Sequence, residues 1–392
     1  DLDFEPWTQY CRSQPYILNQ TIRETDRYRS MIRSGTSGSD AVAQLRENQA
    51  FMDSLKAVKT RLELGFVAID PGTGHVRTWI GGTDLEQDWY DHVSIAKRQP
   101  GSTFKPFVYT AAIDEGWSPY YALLDDTLNY VDQRGEVWSP GNSGGFSGQE
   151  VTLREGLAQS LNSITARLMI EVGPSHVAFY ARRMGIKSPL NEVPALALGT
   201  SDVTLLEMTT AYSTFANGGL LYEPVVITQI QDRSGNILYE SESVPREALS
   251  EATAYKMIDM MRAVVQPGPG HTGQRIRTQY GLWDYDFAGK TGTTQYSADN
   301  WFMLMHPDLV VGSWVGFNDP RFRFRTDYWG QGAHTALHLV GDFMVRLKNA
   351  DETYIARESR FPSPQLFGAE YATEPNPVAD SIRSRGRGGV AW

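Results

Sequence analysis

The sequence predicts an α+β fold, an antiparallel sheet with helices on its faces. Two observations carry that expectation. Segments of strand character lie at both ends of a central region, around residues 66–80 and 287–317, and the stretch between them shows mostly helical spacing. The chain has no internal repeat, and its 392 residues suffice for one large domain or two ordinary ones.

Taken in order, residues 1–60 read as a linker or remnant region with a helix. Asp1 to Ser30 is polar and aromatic without clear periodicity, and Ser34-Gly35-Thr36-Ser37-Gly38-Ser39 has the composition of a flexible linker. From Asp40 to Leu64, Ala41, Leu45, Phe51, Leu55, Val58 and Leu62 recur at helical spacing. Residues 61–360 read as the main domain. Phe66–Ile69 and Val76–Ile80 flank Asp70-Pro71-Gly72-Thr73-Gly74, a hairpin with strong turn chemistry. Pro100-Gly101 breaks the chain, and Phe104, Phe107, Val108, Ala111, Ala112 and Ile113 follow at helical spacing, so a helix starts near Ser102. A second helix is expected from Thr152 through Ser160 to Val172, and a third from Leu205 to Ala216, stopped by Asn217-Gly218-Gly219. Val225–Asp232 and Ile237–Glu240 read as strands around Ser234-Gly235-Asn236. A helix from Ala252 to Val265 ends at Gln266-Pro267-Gly268. Phe287–Thr294, Trp301–Met305 and Leu309–Phe317 read as three strands, and Ala333–Lys348 as a closing helix. Residues 361–392 are rich in Pro, Ser, Gly and Arg and are expected to be irregular.

Composition narrows the function classes. The net charge of −10 is spread along the chain, which argues against nucleic acid as a partner. A single cysteine, Cys11, excludes an internal disulfide and a cysteine-built zinc site. No run approaches the roughly 18 apolar residues of a membrane span, and no signal peptide opens the chain.

Three segments carry chemistry. Ser102 and Lys105 are three apart, which places both on one helix face. A lysine accepts a serine proton only when neutral, so its pKa must fall from about 10.4 through burial or a nearby cation. Lys290 is such a cation if it reaches the same cleft. A second pair of this spacing, Ser94 and Lys97, lacks both the preceding Pro-Gly and the following apolar helix. Ser160 and Asn162 suit a proton relay and an amide ligand, but two residues apart they share a face only at a turn. In Lys290-Thr291-Gly292-Thr293-Thr294, alternation sends Lys290 and Gly292 to one side of a strand and the neighbouring threonines to the other. An edge strand would let backbone and side chains of both kinds meet a peptide, its carboxylate held by hydroxyls and Lys290, with Gly292 permitting close approach. Two other patterns are set aside. Gly268-Pro269-Gly270-His271-Thr272-Gly273 fits a dinucleotide loop but follows a helix, and His334 and His338 have zinc-pair spacing without a glutamate or third ligand.

The ordered set Ser102-x-x-Lys105, Ser160-x-Asn162 and Lys290-Thr291-Gly292 resembles the penicillin-recognising serine acyltransferases. The flanks Lys97 to Pro106, Val151 to Glu155, Ala211 to Gly219 and Ala288 to Thr294 are similar to the transpeptidase domain of class A penicillin-binding proteins, over about residues 55–350. The resemblance implies a serine β-lactamase/transpeptidase-like fold, with helices flanking the sheet and an all-helical subdomain. It implies a D,D-transpeptidase of peptidoglycan synthesis, with stem peptides and nascent glycan strands as substrates, β-lactams as inhibitors, and no cofactor or metal. Ser102 would be the nucleophile, Lys105 the base, Ser160 the proton relay and Asn162 the amide ligand. Lys290, Thr291 and Thr293 would hold the terminal carboxylate, with Gly292 and Thr294 in the same substrate strand. The N–H groups of Ser102 and Thr293 would form the oxyanion hole. The implied location is extracytoplasmic, at the periplasmic face of the bacterial inner membrane. A membrane anchor is expected in the full-length protein but is absent from this chain, and other cell-wall synthesis proteins are possible partners.

The sequence departs from the resemblance in two places. Class A members usually carry a glycosyltransferase domain ahead of this one, and residues 1–60 offer neither room nor an acidic motif for it. Gly330-Gln331-Gly332-Ala333-His334 stands where an Ala-Pro-containing stretch is usual. A D,D-carboxypeptidase or a non-enzymatic sensor of β-lactams or cell wall would share the site. A β-lactamase would need a deacylating Glu-x-x-Leu-Asn after Ser160, and the nearest likeness, Asp125 to Asn129, lies on the wrong side.

Overall fold

A computed structural model describes residues 7, 8, 11, 14–84, 86, 89–131, 135–294, 297–324, 326, 328–350 and 354–362. The irregular tail expected after Phe361 lies outside the described residues from 363 onward, as do residues 1–6.

Five strands form one antiparallel sheet: β1 (Leu62–Ile69), β2 (Val76–Ile80), β3 (Ala288–Thr293), β4 (Asp299–His306) and β5 (Leu309–Phe317). Their order is β3-β4-β5-β1-β2, so β3 is an edge strand. The ends of the domain therefore meet in the middle of the sheet, where β1 pairs with β5 from Leu62 opposite Phe317 to Ile69 opposite Val310.

Strand alternation sorts the sheet into two cores. Val67, Ile69, Ala288, Trp301, Met303, Met305, Val310 and Trp314 join the first core. Phe66, Ala68, Phe287, Phe302, Leu304, Val311 and Val315 join the second. The first core is filled from α5 (Lys105–Asp114), α6 (Leu153–Ala158), α7 (Asn162–Val172), α8 (Pro174–Arg183), α9 (Leu205–Ala216) and α10 (Glu251–Val265). The second is covered mainly by α12 (Ala336–Lys348), with the short α11 (Arg275–Thr278) beside it. Every residue of α5 from Lys105 to Ile113 is buried, as expected of a helix apolar on all sides.

Several elements differ from the sequence reading. The helix expected across Ser160 is two helices, because Ser160 takes a left-handed φ of 59° between α6 and α7. Asp40 to Leu64 is also two helices, α3 (Gly38–Glu47) and α4 (Gln49–Lys59). Extended Asn48 ends the first, its side chain caps the second, and Leu62 already belongs to β1. The stretch read as aperiodic contains α1 (Pro15–Arg23) and α2 (Asp26–Arg33), and Thr25 caps α2. The expected linker is a turn whose Ser37 caps α3. The helix α8 was not foreseen, although Pro174 sits at its first turn. The strand expected over Val225–Asp232 shrinks to Gln229–Gln231, in an exposed ribbon with Ile237–Glu240. Phe361, placed at the start of the irregular tail by the sequence, is buried in the first core.

The region before β1 thus holds four helices where one was expected. Leu18, Ile22, Val42, Leu45 and Leu55 pack with Phe317 and Phe322 at the end of β5. Arg321 pairs with Glu24 at 2.7 Å and Lys59 with Asp319 at 3.2 Å. Among the described residues no helix is long and apolar enough to cross a membrane.

Candidate active site

The three chemical segments meet where β3, the start of α5 and the α6–α7 turn converge. Gly101–Phe104 forms a 3-10 turn that leads directly into α5. The turn lies against the end of β3, and a Cβ at Gly101, whose φ is +55°, would stand 2.5 Å from the Thr293 carbonyl oxygen. From the strand side, a Cβ at Gly292 would meet the Pro100 oxygen at 2.7 Å and Thr103 Cγ2 at 2.8 Å. Gly292 therefore admits the close approach of the Pro100–Thr103 turn to β3. Trp301 Nε1 donates to the Gln99 oxygen at 2.8 Å and the Tyr212 hydroxyl to the Thr103 oxygen at 2.7 Å, fixing the turn from both sides. Ser102 is half-buried in the first turn, where N–H groups lack an intrahelical partner.

Lys105 is fully buried at the start of α5. Its Nζ donates to the Ser160 carbonyl at 2.5 Å, to Asn162 Oδ1 at 2.7 Å and to Ser160 Oγ at 3.3 Å. A contact to the Ser102 hydroxyl is not among these bonds. The left-handed Ser160 explains how two residues at such spacing share one cleft. Ser160 N–H bonds to the Leu157 oxygen and Leu161 N–H to the Gly156 oxygen, which closes α6. The chain then restarts as α7 at Asn162, and Asn162 Nδ2 donates to the Gly141 oxygen at 2.7 Å.

Lys290 approaches the same hydroxyl from the sheet. It is fully buried, and its Nζ donates to Ser160 Oγ at 2.8 Å and to the Thr291 oxygen at 3.1 Å. Every hydrogen-bond acceptor of the two ammonium groups named here is a neutral oxygen. Burial brings Lys290 down to about 7. Burial, with the charge of Lys290 added, holds Lys105 well below the ordinary lysine range. Both shifts favour loss of a proton from the pair, which makes a neutral amine available beside the Gly101–Phe104 turn.

The edge position of β3 settles the alternation in the strand. Lys290 leaves on the face of the first core, toward Ser160. Thr291 and Thr293 leave on the other face, where Thr291 Oγ1 donates to Thr272 Oγ1 at 2.7 Å and Thr293 Oγ1 accepts from Gly332 N–H at 3.2 Å. Thr294 does not join them. Its hydroxyl accepts from Asp299 N–H at 3.0 Å in the β3–β4 connection.

Some residues of the site were missed in the sequence. Asn142 Oδ1 accepts from the N–H groups of Asn162 and Ser163 at 2.7 and 3.1 Å, which caps α7 from outside. Its Nδ2 donates to buried Asp125 at 2.7 Å, and the Ser163 hydroxyl donates to the same carboxylate at 2.5 Å. Four hydrogen bonds, from Ser163, Ser147 and Asn142, hold the Asp125 carboxyl below its usual range against the opposing effect of burial. Asp125 thus supports the start of α7 at Asn162 through Asn142 and Ser163. Nothing local marks Asn142, which stands in a Gly- and Ser-rich loop. The rejected patterns are also accounted for. Ser94 Oγ donates to Asp91 at 2.6 Å, His338 Nδ1 bonds the Tyr280 hydroxyl at 2.6 Å, and His334 Nδ1 bonds Arg275. Among the described residues no group of three or more His, Cys, Asp or Glu side chains could hold a metal ion.

Comparison with known proteins bears on this geometry. A family described as the penicillin binding protein transpeptidase domain matches residues 64–319. Penicillin-binding protein 2D of Bacillus subtilis is 32% identical over 329 residues, 81% of this chain and 47% of the relative. Penicillin-binding protein 1A of Neisseria meningitidis is 36% identical over 280 residues, 69% of this chain and 34% of the relative. The chain thus spans less than half the length of these curated relatives. The crystal structure of penicillin-binding protein 1A from Haemophilus influenzae superposes with a TM-score of 0.68 at 26% identity, covering 74% of this chain and 48% of that one. PonA1 from Mycobacterium tuberculosis, solved in complex with penicillin V, shares the fold at a TM-score of 0.63 and 21% identity, over 89% of this chain and 98% of that one.

Proposed function

Since the chain belongs to the penicillin-binding protein transpeptidase family, we propose that it is a peptidoglycan D,D-transpeptidase that works through an acyl-enzyme at Ser102. The observation that supports this reading most is the pair of buried lysines on one serine hydroxyl, Lys105 at 3.3 Å and Lys290 at 2.8 Å from Ser160 Oγ. A buried amine pair of that kind costs the folded state stability, and acid–base work accounts for it.

In this reading Ser102 Oγ attacks the penultimate D-Ala carbonyl of a donor stem, and Lys105 takes the hydroxyl proton. The N–H groups of Ser102 and Thr293 receive the negative oxygen. As the C–N bond breaks, Ser160 gives a proton to the leaving D-Ala amine and regains one from Lys105. Lys290 keeps its own proton and stabilises the charge that passes between them. The amine of a second stem then attacks the ester, the relay runs in reverse, and Ser102 regains its proton as the cross-link forms. A β-lactam would follow the first half of this path, and its amine would stay tethered to the acyl group. Asn162 orients the amide of the acyl chain. The natural substrates would be stem peptides on nascent glycan strands outside the cytoplasm. Residues 61–362 would form the transpeptidase domain, with α1–α4 as an accessory unit.

Product analysis tests the reading. Incubation with a pentapeptide stem and an acceptor amine is expected to give a cross-linked dimer and one D-Ala per bond formed. Free D-Ala without dimer would point to a carboxypeptidase. Neither product, with stable penicillin binding, would point to a sensor.

A further inference from the structure

Lys290 is the cation expected to meet the substrate carboxylate, yet its ammonium is buried on the helical face of β3 and bonded to Ser160. The opposite face presents the hydroxyls of Thr291 and Thr293. Arg275 is linked to that face through neighbours on two sides. It lies three residues after Thr272 in the chain, and Thr272 accepts the hydrogen bond of the Thr291 hydroxyl at 2.7 Å. Its Nη1 donates to the Ala333 oxygen at 3.0 Å and bonds His334 Nδ1 at 2.5 Å. The preceding residue, Gly332, donates its N–H to the Thr293 hydroxyl at 3.2 Å. Gly332 has no room to retreat, because a Cβ there would stand 2.4 Å from the Gly292 oxygen and 2.2 Å from that of Trp301.

Among the described residues no carboxylate pairs with Arg275, although it is half-buried. The bonds just described use Nη1 alone, which leaves Nε and Nη2 to bind an anion. A guanidinium beside two hydroxyls is suited to a carboxylate, which it grips fork to fork. We propose that Arg275 supplies the positive charge that binds the terminal carboxylate of the acyl donor, next to the hydroxyls of Thr291 and Thr293. The proposal rests on the acyl-transfer reading above and moves the charge expected of Lys290 to a residue outside the three motifs.

The test compares benzylpenicillin with its neutral methyl ester on the whole chain, reading the acylation rate by intact mass. Arg275→Gln is expected to slow acylation by the acid about 10- to 100-fold and to leave the ester rate within about twofold of wild type. Arg275→Lys keeps the charge without the fork and is expected to recover part of the acid rate. An unchanged acid rate in Arg275→Gln overturns the proposal. An equal fall for acid and ester also overturns it, since Arg275 then only braces the Gly332–His334 turn. If Arg275→Gln folds poorly, Arg275→Lys decides. Its acid-to-ester rate ratio is expected to drop about threefold or more, and a ratio equal to wild type overturns the proposal. A wild-type protein that forms no adduct with either compound would instead sink the acyl-transfer reading, so the two failures are distinct.

Discussion

Two lysines that share one serine hydroxyl define the chemistry at the scale of single residues. Burial and the charge of Lys290 together hold Lys105 well below the ordinary lysine range. Burial brings Lys290 to about 7. In the proposed mechanism, acylation needs a neutral Lys105 and gains from a charged Lys290. The rate should therefore rise with pH as Lys105 deprotonates and fall again near about 7 as the pair gives up its last proton. Lys290→Arg stays charged throughout, so the alkaline limb of the benzylpenicillin acylation profile should disappear whatever the absolute rate. An alkaline limb that persists unchanged would assign it to another group. The motif residues themselves were legible in the sequence because each pair is set by local spacing. The proposed division of labour between Lys290 and Arg275 was not, because it depends on which face of an edge strand each charge reaches.

At the scale of elements, two backbone features position the site. Ser160 holds a left-handed φ of 59°, which turns its carbonyl and hydroxyl to the same lysine. Ser160→Ala and Ser160→Gly should both lose the relay, but the glycine variant should be the more stable by about 1 kcal/mol in urea unfolding, since only it adopts that φ freely. Equal stabilities would mean that the turn carries no strain. Gly292 admits the nucleophile turn to within contact of β3. Gly292→Ala should push the turn away and cut the acylation rate by about 10²-fold, the cost of a shift near 1 Å. An unimpaired rate would show that the neighbouring backbone absorbs the methyl group. Periodicity gave β2, β3, β5, α9 and α10 nearly whole, but only the second half of β1 and the middle of β4. It ran straight through Ser160 and Asn48, because apolar spacing continues across a break that only capping and backbone geometry reveal.

At the scale of the whole molecule, the transpeptidase domain joins its two ends in the centre of the sheet, and the α1–α4 unit seals the far end of β5. Removing residues 1–59 uncovers Phe317 and Phe322, a loss of about 2 kcal/mol each. The shortened protein should melt several degrees lower yet acylate at a rate close to the full chain, because among the described residues no hydrogen bond named for the site comes from that unit. A loss of acylation without a loss of stability would give the unit a part in the chemistry. The sequence concealed this unit because its helices are short and are defined more by Thr25, Ser37 and Asn48 caps than by long apolar stripes. The central claim, that Ser102 rather than Ser94 is the serine acylated, with Lys105 as its base, is tested most directly by mapping the benzylpenicillin adduct by mass. A single long-lived adduct on Ser102 is expected in the wild-type protein and none in a folded Ser102→Ala variant. An adduct that persists in that variant and maps to Ser94, or a wild-type adduct hydrolysed within seconds, would contradict it.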